Sequence, residues 1–457
     1  MIITNFKNLA KSPLRKKALQ IIEAGYSEIN IQKVIGGKIE LNGSKLTIKS
    51  ASLKGSRKLE IGLGNYKKVF IIGIGKGSAL ASMALADILG KKLNKCIALD
   101  INKPSLNSKF LILNFEFLTG THPLPSLQNV RATKKIIELA GKAGKDDLII
   151  SFICGGGSAL LCGSKKELKA SREIFSKLTS AGANIIELNT IRKHLSEVKG
   201  GGLAKIAYPA TMISLIVSDV IGGDLSMVAS GPTMPDKTTK KDAEKILKKY
   251  GLLSPVTRNL LIETPKAKPR SERSSTTGDK KYFKSVKNIL FVSNREPITA
   301  MVKKAKKLGF LPKIYSYKLN GEAKNSLIPL VGLLSYRKVN IAVAGGETTI
   351  VLGKNPGKGG RNMEAVLGVL EMLIQNSEFR IQNYVLLSVA SDGKDNTEAA
   401  GAIGDILTIS KAQKLKLNFE KYLKNHNVFD FFKKTGDLIF TEKKTFNVSD
   451  LMLILKI

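Results

Sequence analysis

Apolar runs that end in glycine set the rhythm of this chain. KKVFIIGI closes on Gly73-Ile74-Gly75-Lys76-Gly77-Ser78 and restarts as the helix-like segment SALASMALADIL. The succession recurs where DDLIISFI meets Cys154-Gly155-Gly156-Gly157-Ser158, and where TMISLIVSDV runs into a loop ending at Asp224. Short continuous apolar runs bounded by glycine, each followed by a helical pattern, predict buried strands joined by crossover helices. The alternation therefore predicts an α/β fold, with a Rossmann-like parallel sheet flanked by helices in the N-terminal part. Residues 266–281, KAKPRSERSSTTGDKK, are almost free of apolar side chains and read as a flexible basic linker or insertion. The pattern then resumes with VKNILFVSN, NIAVAGGETTI and YVLLSVASDG. Two α/β domains follow from this, one over residues 1–265 and one over 282–457. No repeat of fixed period is visible.

In open α/β sheets, ligands bind beyond the carboxyl ends of the strands, where each glycine cluster falls. The first loop puts backbone N–H groups, a helix start and the Lys76 ammonium around one point, a setting for phosphate; Gly75, Gly77 and Ser78 are its candidate contacts. A dinucleotide reading competes, with Asp100 near the end of the next strand as a ribose contact, but the third glycine falls at Gly77, one residue early. The same glycines could equally do no more than close a turn. Gly155, Gly156, Gly157 and Ser158 form a second candidate cradle, with close packing as the competing explanation. NTIRKHLSEVKGGG gathers Asn189, Arg192, Lys193, His194 and Lys199. Arg192 and Lys199 are the better anion-site candidates there, with Asn189 as a further contact and a solvated helix face as the competing reading, and His194 reads as an ordinary structural or surface histidine rather than a base. Asp219 and Asp224 follow an apolar strand, where carboxylates hold Mg2+, accept a hydroxyl proton, or cap the loop. In the second domain the candidates are Glu347, Arg361 at a helix start, and Asp392 with Asp395 after a strand. An arginine so placed can reach transferring phosphate oxygens, and the aspartates serve either a metal or a turn.

The formal charge is +37 over 457 residues, which raises nucleic acid or anionic surfaces as partners. The lysines are scattered, aromatics are 6%, and no stacking motif of the RNA-binding kind occurs, so the expectation is a basic solvated surface without a specific nucleic acid. No apolar run approaches the roughly 20 residues that span a bilayer, and the basic start lacks the apolar core of a secretory signal. Cys96, Cys154 and Cys162 show no paired ligand spacing. A soluble cytoplasmic protein without disulfides is the expectation, with a homodimer left open.

GIGKGSA, GTHPLPS, GGGSALL, NTIRKHLSEVKGG, SDVIGGD, ASGPTMPD, AGGETTI, GKGGRNMEA and SDGKDNTEAAGA, in that order, resemble the glycerate 2-kinases whose C-terminal part is the MOFRL domain. The resemblance implies transfer of the γ-phosphoryl group of ATP to the 2-hydroxyl of D-glycerate, with Mg2+, at an active site between two α/β domains. It also implies that Lys76 and Arg361 are the main catalytic cations; the residues themselves offer Asp219 as base or Mg2+ partner. The chain departs from the family pattern where TEKKTFNVSDL replaces a glycine-rich stretch, at Gly223, and at Lys394 and Asn396. An NAD(P)H-dependent hydroxypyruvate reductase and a basic nucleic-acid or anion binder are the alternatives weighed.

Overall fold

The computed structural model describes residues 1–53, 55, 57–104, 114–220, 223–266, 279–334, 338–353, 355–375 and 384–456. The chain divides into two compact units, one of Ile35–Phe291 and one that joins Met1–Val34 to Val292–Ile457. Most of the predicted linker, residues 267–278, lies outside the described residues.

The first unit opens with a three-stranded antiparallel sheet of β1 (Ile39–Asn42), β2 (Lys45–Lys49) and β3 (Lys58–Gly62). Its main sheet comprises β4 (Lys68–Ile74), β5 (Lys95–Asp100), β6 (Phe115–Thr119), β7 (Asp147–Ile153), β8 (Thr211–Val217) and β9 (Val286–Val292). The order is β6-β5-β4-β7-β8-β9, and the pairings from β6 through β8 are parallel. Every residue of β7 is buried, as its unbroken apolar run predicts for a strand covered on both faces. Ile72, Ile74, Leu99, Ile149 and Ile153 meet Ile136 and Leu203 in one core, each contributing about 1.5–3 kcal/mol by leaving water. A helical layer built from Lys165–Ser180, Ile185–His194 and Lys240–Lys249 has its own smaller core around Ile174, Ile191 and Leu247. We call this the parallel-sheet unit.

The second unit holds β10 (Pro312–Leu319), β11 (Ile341–Gly346), β12 (Tyr384–Ala390), β13 (Gly401–Asp405), β14 (Leu438–Ile439) and β15 (Asp450–Lys456), in the order β10-β11-β15-β12-β13-β14. Only β10 and β11 pair in parallel; β15 runs antiparallel to both β11 and β12. The sheet is therefore mixed. Helix Arg361–Gln375 packs on β12 and β13, and helix Pro13–Glu28 packs on helix Arg295–Lys307 and against β12 and β15.

Two boundaries differ from the expectation. VKNILFVSN, read as the opening of the second domain, supplies β9 at the edge of the first sheet, because its half-buried pattern suits an edge beside β8. The first 34 residues pack with the second unit. Arg15 explains much of that attachment: fully buried, it donates to Asp405 at 2.6 and 2.7 Å, to Asp437 at 2.7 Å and to Thr408 at 2.8 Å. Among the described residues no helix is long and apolar enough to cross a membrane.

Candidate active site

Parallel pairing of β4 with β7 aligns Ile74 with Ile153, so the two glycine loops leave the sheet side by side. Cys154 N–H donates to the Ile74 carbonyl at 2.8 Å, and Lys76 N–H to that of Gly155 at 2.9 Å. The approach demands glycine: Gly75 has φ +104°, and a Cβ there would sit 2.4 Å from the Cys154 carbonyl oxygen. A Cβ on Gly157 would stand 2.6 Å from that of Ala229.

The loops differ in what their N–H groups do. In the first, Gly75 donates to Leu99, Lys76 to Gly155 and Ser78 to Gly75. Ala79 donates to the Asp100 carboxylate at 3.1 Å, and Ile101 donates to its other oxygen at 2.7 Å. Burial pushes Asp100 up to about 6, against the pull of these donors. Asp100 thus occupies the positive end of helix Ser78–Leu89, which removes it as a ribose contact and leaves the dinucleotide reading without its acid. The Ser78 hydroxyl is buried on the Leu99 carbonyl at 3.3 Å. Among the candidates of the first loop, the Lys76 side chain is the group suited to an external anion. In the second loop, the N–H groups of Gly155, Gly156 and Ser158 find no protein acceptor among the described residues. A Cβ on Gly156 would lie 3.2 Å from Lys76 Cγ and 3.4 Å from His122 Cδ2, so Lys76 lies along this open turn. His122, from the GTHPLPS segment, is an exposed neighbour not singled out from the sequence.

The third cluster is largely structural. Lys199 donates to Glu167 at 2.6 Å and to the Leu161 carbonyl at 2.8 Å, and Lys193 pairs with Asp236 at 3.2 Å. His194 is fully buried between the Ile262 carbonyl and the Thr238 hydroxyl, and burial draws its pKa down. Of the structural and surface positions that the sequence left open, His194 takes the buried one. Asn189 accepts from Ser230 at 2.8 Å, and Ser230 in turn meets Ser158 at 2.9 Å. Asp224 caps the turn Leu225–Ser230 by accepting from Ser226 N–H at 2.9 Å. Burial raises its pKa, but the Ser226 bonds and the charges of Lys237 and Lys193 outweigh this and lower it. Asp219 is half-buried just past β8. Among the described residues no group of three or more His, Cys, Asp or Glu could hold a metal.

In the mixed-sheet unit the register places Asp450, the first residue of β15, opposite both Gly346 and Ala390. Arg361 Nε and Nη2 donate to its two oxygens at 2.6 and 3.1 Å, and Nη1 donates to Glu347 at 2.7 Å. Burial opposes the charge on Arg361, but Asp450 and Glu347 more than offset it and raise its pKa. The guanidinium is therefore a held cation rather than a free one, with three of its five N–H groups engaged by carboxylates. Asp450, fully buried and pushed up by that burial, was not found from the sequence; only the cross-strand register reveals it. Asp395 accepts from the N–H groups of Asn362 and Met363 at 3.2 and 3.0 Å and so caps the Arg361–Gln375 helix. Asp392 accepts from Lys394 N–H at 3.0 Å, in the manner of a turn former. The divergent stretch before β15 is tied to the same loop, with Thr445 donating to the Ser391 carbonyl at 2.6 Å and Val448 N–H to the Ser391 hydroxyl at 2.8 Å.

Residues 17–261 match the family described as Domain of unknown function (DUF4147), and residues 340–450 match the MOFRL family. The chain is 32% identical over 403 residues to the D-glycerate 2-kinase of Thermotoga maritima, covering 85% of this chain and 91% of that relative. It is 30% identical over 453 residues to the glycerate 2-kinase of Pyrococcus horikoshii, covering 96% and 94%. A crystal structure of glycerate kinase from Thermotoga maritima superposes with a TM-score of 0.77 at 28% identity, covering 97% of this chain and 99% of that one.

Proposed function

The chain belongs to the family of glycerate 2-kinases defined by the DUF4147 and MOFRL domains, and from that membership we propose that it transfers the γ-phosphoryl group of ATP to the 2-hydroxyl of D-glycerate. The observation that carries the reading is the open turn after β7, where unengaged N–H groups of Gly155, Gly156 and Ser158 accompany the Lys76 side chain. Phosphoryl transfer asks for positioning and charge neutralisation more than covalent chemistry, and donors fixed before the reaction supply both.

In the transfer, the 2-hydroxyl oxygen bonds to the γ-phosphorus as the bond to the bridging oxygen breaks, giving 2-phosphoglycerate and ADP. Asp219 takes the hydroxyl proton. Asp219 and the second oxygen of Asp224 would hold Mg2+, which when bound neutralises charge on the phosphate oxygens. Lys76 binds the phosphates, and Arg361, with two N–H groups not engaged by Asp450 or Glu347, is proposed as the second catalytic cation. Incubation with ATP, Mg2+ and D-glycerate, with NMR identification of the product, tests the reading. A phosphate on carbon two is expected; a phosphate on carbon three, or no phosphorylated product, overturns it.

A further inference from the structure

The helical layer of the parallel-sheet unit carries a half-buried cation, Arg192, that no acid among the described residues answers. Arg192 lies in the last turn of helix Ile185–His194, its guanidinium carbon 4.9 Å from the centroid of the Phe175 ring. Among the described residues it has no carboxylate and no hydrogen-bond acceptor, while Lys193 is paired with Asp236 and Lys199 with Glu167. Burial alone draws its pKa down, with no acid raising it. A cation kept partly from water is costly unless an acceptor comes from outside, and guanidinium matches a carboxylate in shape.

Arg192 lines a cavity of about 40 Å³ with Ser158, Leu161, Phe175 and Lys199, and with Pro123 in its wall. That is room for about three waters, the scale of the polar groups of a small acid. The polarity of Ser158 adds a second constraint. Ser230 gives its only proton to Asn189 at 2.8 Å, so the 2.9 Å contact between the two serines uses the proton of Ser158. Ser158 therefore offers lone pairs, which accept from a hydroxyl and repel an anion.

We infer that Arg192 and Ser158 form the subsite that recognises the substrate rather than the nucleotide: Arg192 binds the carboxylate of a 2-hydroxy acid, and the Ser158 hydroxyl accepts from its non-reacting 3-hydroxyl. Asn189 and Ser230 are positioning residues that set the direction of the Ser158 proton. The assignment moves the side chains of Ser158, Asn189 and Arg192 out of the phosphate cradle, and it rests on the kinase reading above.

Steady-state kinetics with D-glycerate and with D-lactate, which lacks the 3-hydroxyl, test it in the native chain, R192M, R192K and S158A. R192M should raise KM for D-glycerate by at least about 30-fold, while KM for ATP stays within about twofold. R192K, keeping the charge but not the fork, should recover part of the loss. S158A should abolish the preference for D-glycerate over D-lactate. An unchanged glycerate KM in R192M, a raised ATP KM in its place, or a preference that survives S158A overturns the subsite. Calorimetric titration of D-glycerate without nucleotide separates this from failure of the kinase reading. Binding to the native chain that is lost in R192M supports the subsite even where turnover is absent, and no binding to the native chain overturns it. Thermal melts matching the native chain confirm that each variant is folded.

Discussion

Arg361 and Asp450 form a fork-to-fork pair whose two hydrogen bonds fix the guanidinium plane. D450N keeps the volume but turns one acceptor oxygen into a donor facing another donor. With the plane released, kcat for glycerate phosphorylation should fall by about 100-fold, and R361K should do no better because an ammonium cannot span both oxygens. Single-turnover measurements on folded variants check this. Asp395 makes a pH prediction. Burial and the charge of Asp450 push it up to about 7 from the ordinary 3.8, against the donors of Met363 and Asn362. Between those values the folded chain holds a proton that the unfolded chain has released, so stability declines as pH rises through the window, by on the order of a few kcal/mol. D395N, which can still accept at the helix start, should flatten the fall in melting temperature from pH 5 to 7; an unchanged slope would refute the assignment. Lys76 and Arg361 were legible as cations beside glycine turns, but the two carboxylates that hold Arg361 were not. Asp450 lies 89 residues beyond Arg361, and no local spacing announces a partner across a sheet.

Among the elements, the best-read strands were those with unbroken apolar runs. β4, β7 and β8 are nearly wholly buried, and burial on both faces demands such a run. The roles of the loops between them were harder to read. A strand, a glycine turn and a helix start can serve a phosphate or an internal carboxylate, and the choice at Gly75–Ser78 is made by Asp100 on the neighbouring strand. The mixed direction of the second sheet was equally hidden, since an apolar run has no sense of direction until its neighbours are known. Gly75 tests the packing of the two loops. G75A would combine positive φ with a methyl 2.4 Å from the Cys154 carbonyl. Loss of at least about 2 kcal/mol in urea unfolding is expected, with glycerate turnover reduced in parallel; native stability would show that the loops can part without cost.

At the scale of the molecule, the sequence start illustrates what a charge count conceals. SPLRKK contributes three cations in a row, yet Arg15 is fully buried between Asp405 and Asp437, while Lys16 and Lys17 are exposed. R15M would strand two buried carboxylates and should cost about 3–5 kcal/mol in denaturant unfolding. Neutralising both acids in the same chain should restore much of the loss, and a single variant as stable as the native chain would remove Arg15 as the anchor of residues 1–34. The loop-like composition before β9 marks a break in sequence, whereas the first sheet continues past it.

The place of β15 between β11 and β12 has a consequence for synthesis. Both neighbours leave the ribosome before it, and each waits with one row of backbone groups unpaired, a template for pairing with another nascent chain. The same late segment delivers Asp450, so Arg361 spends translation without its anchor. A polypeptide stalled ahead of residue 450 would expose two adhesive strands and lack a finished centre, making this stretch the step at which solubility and activity are acquired together.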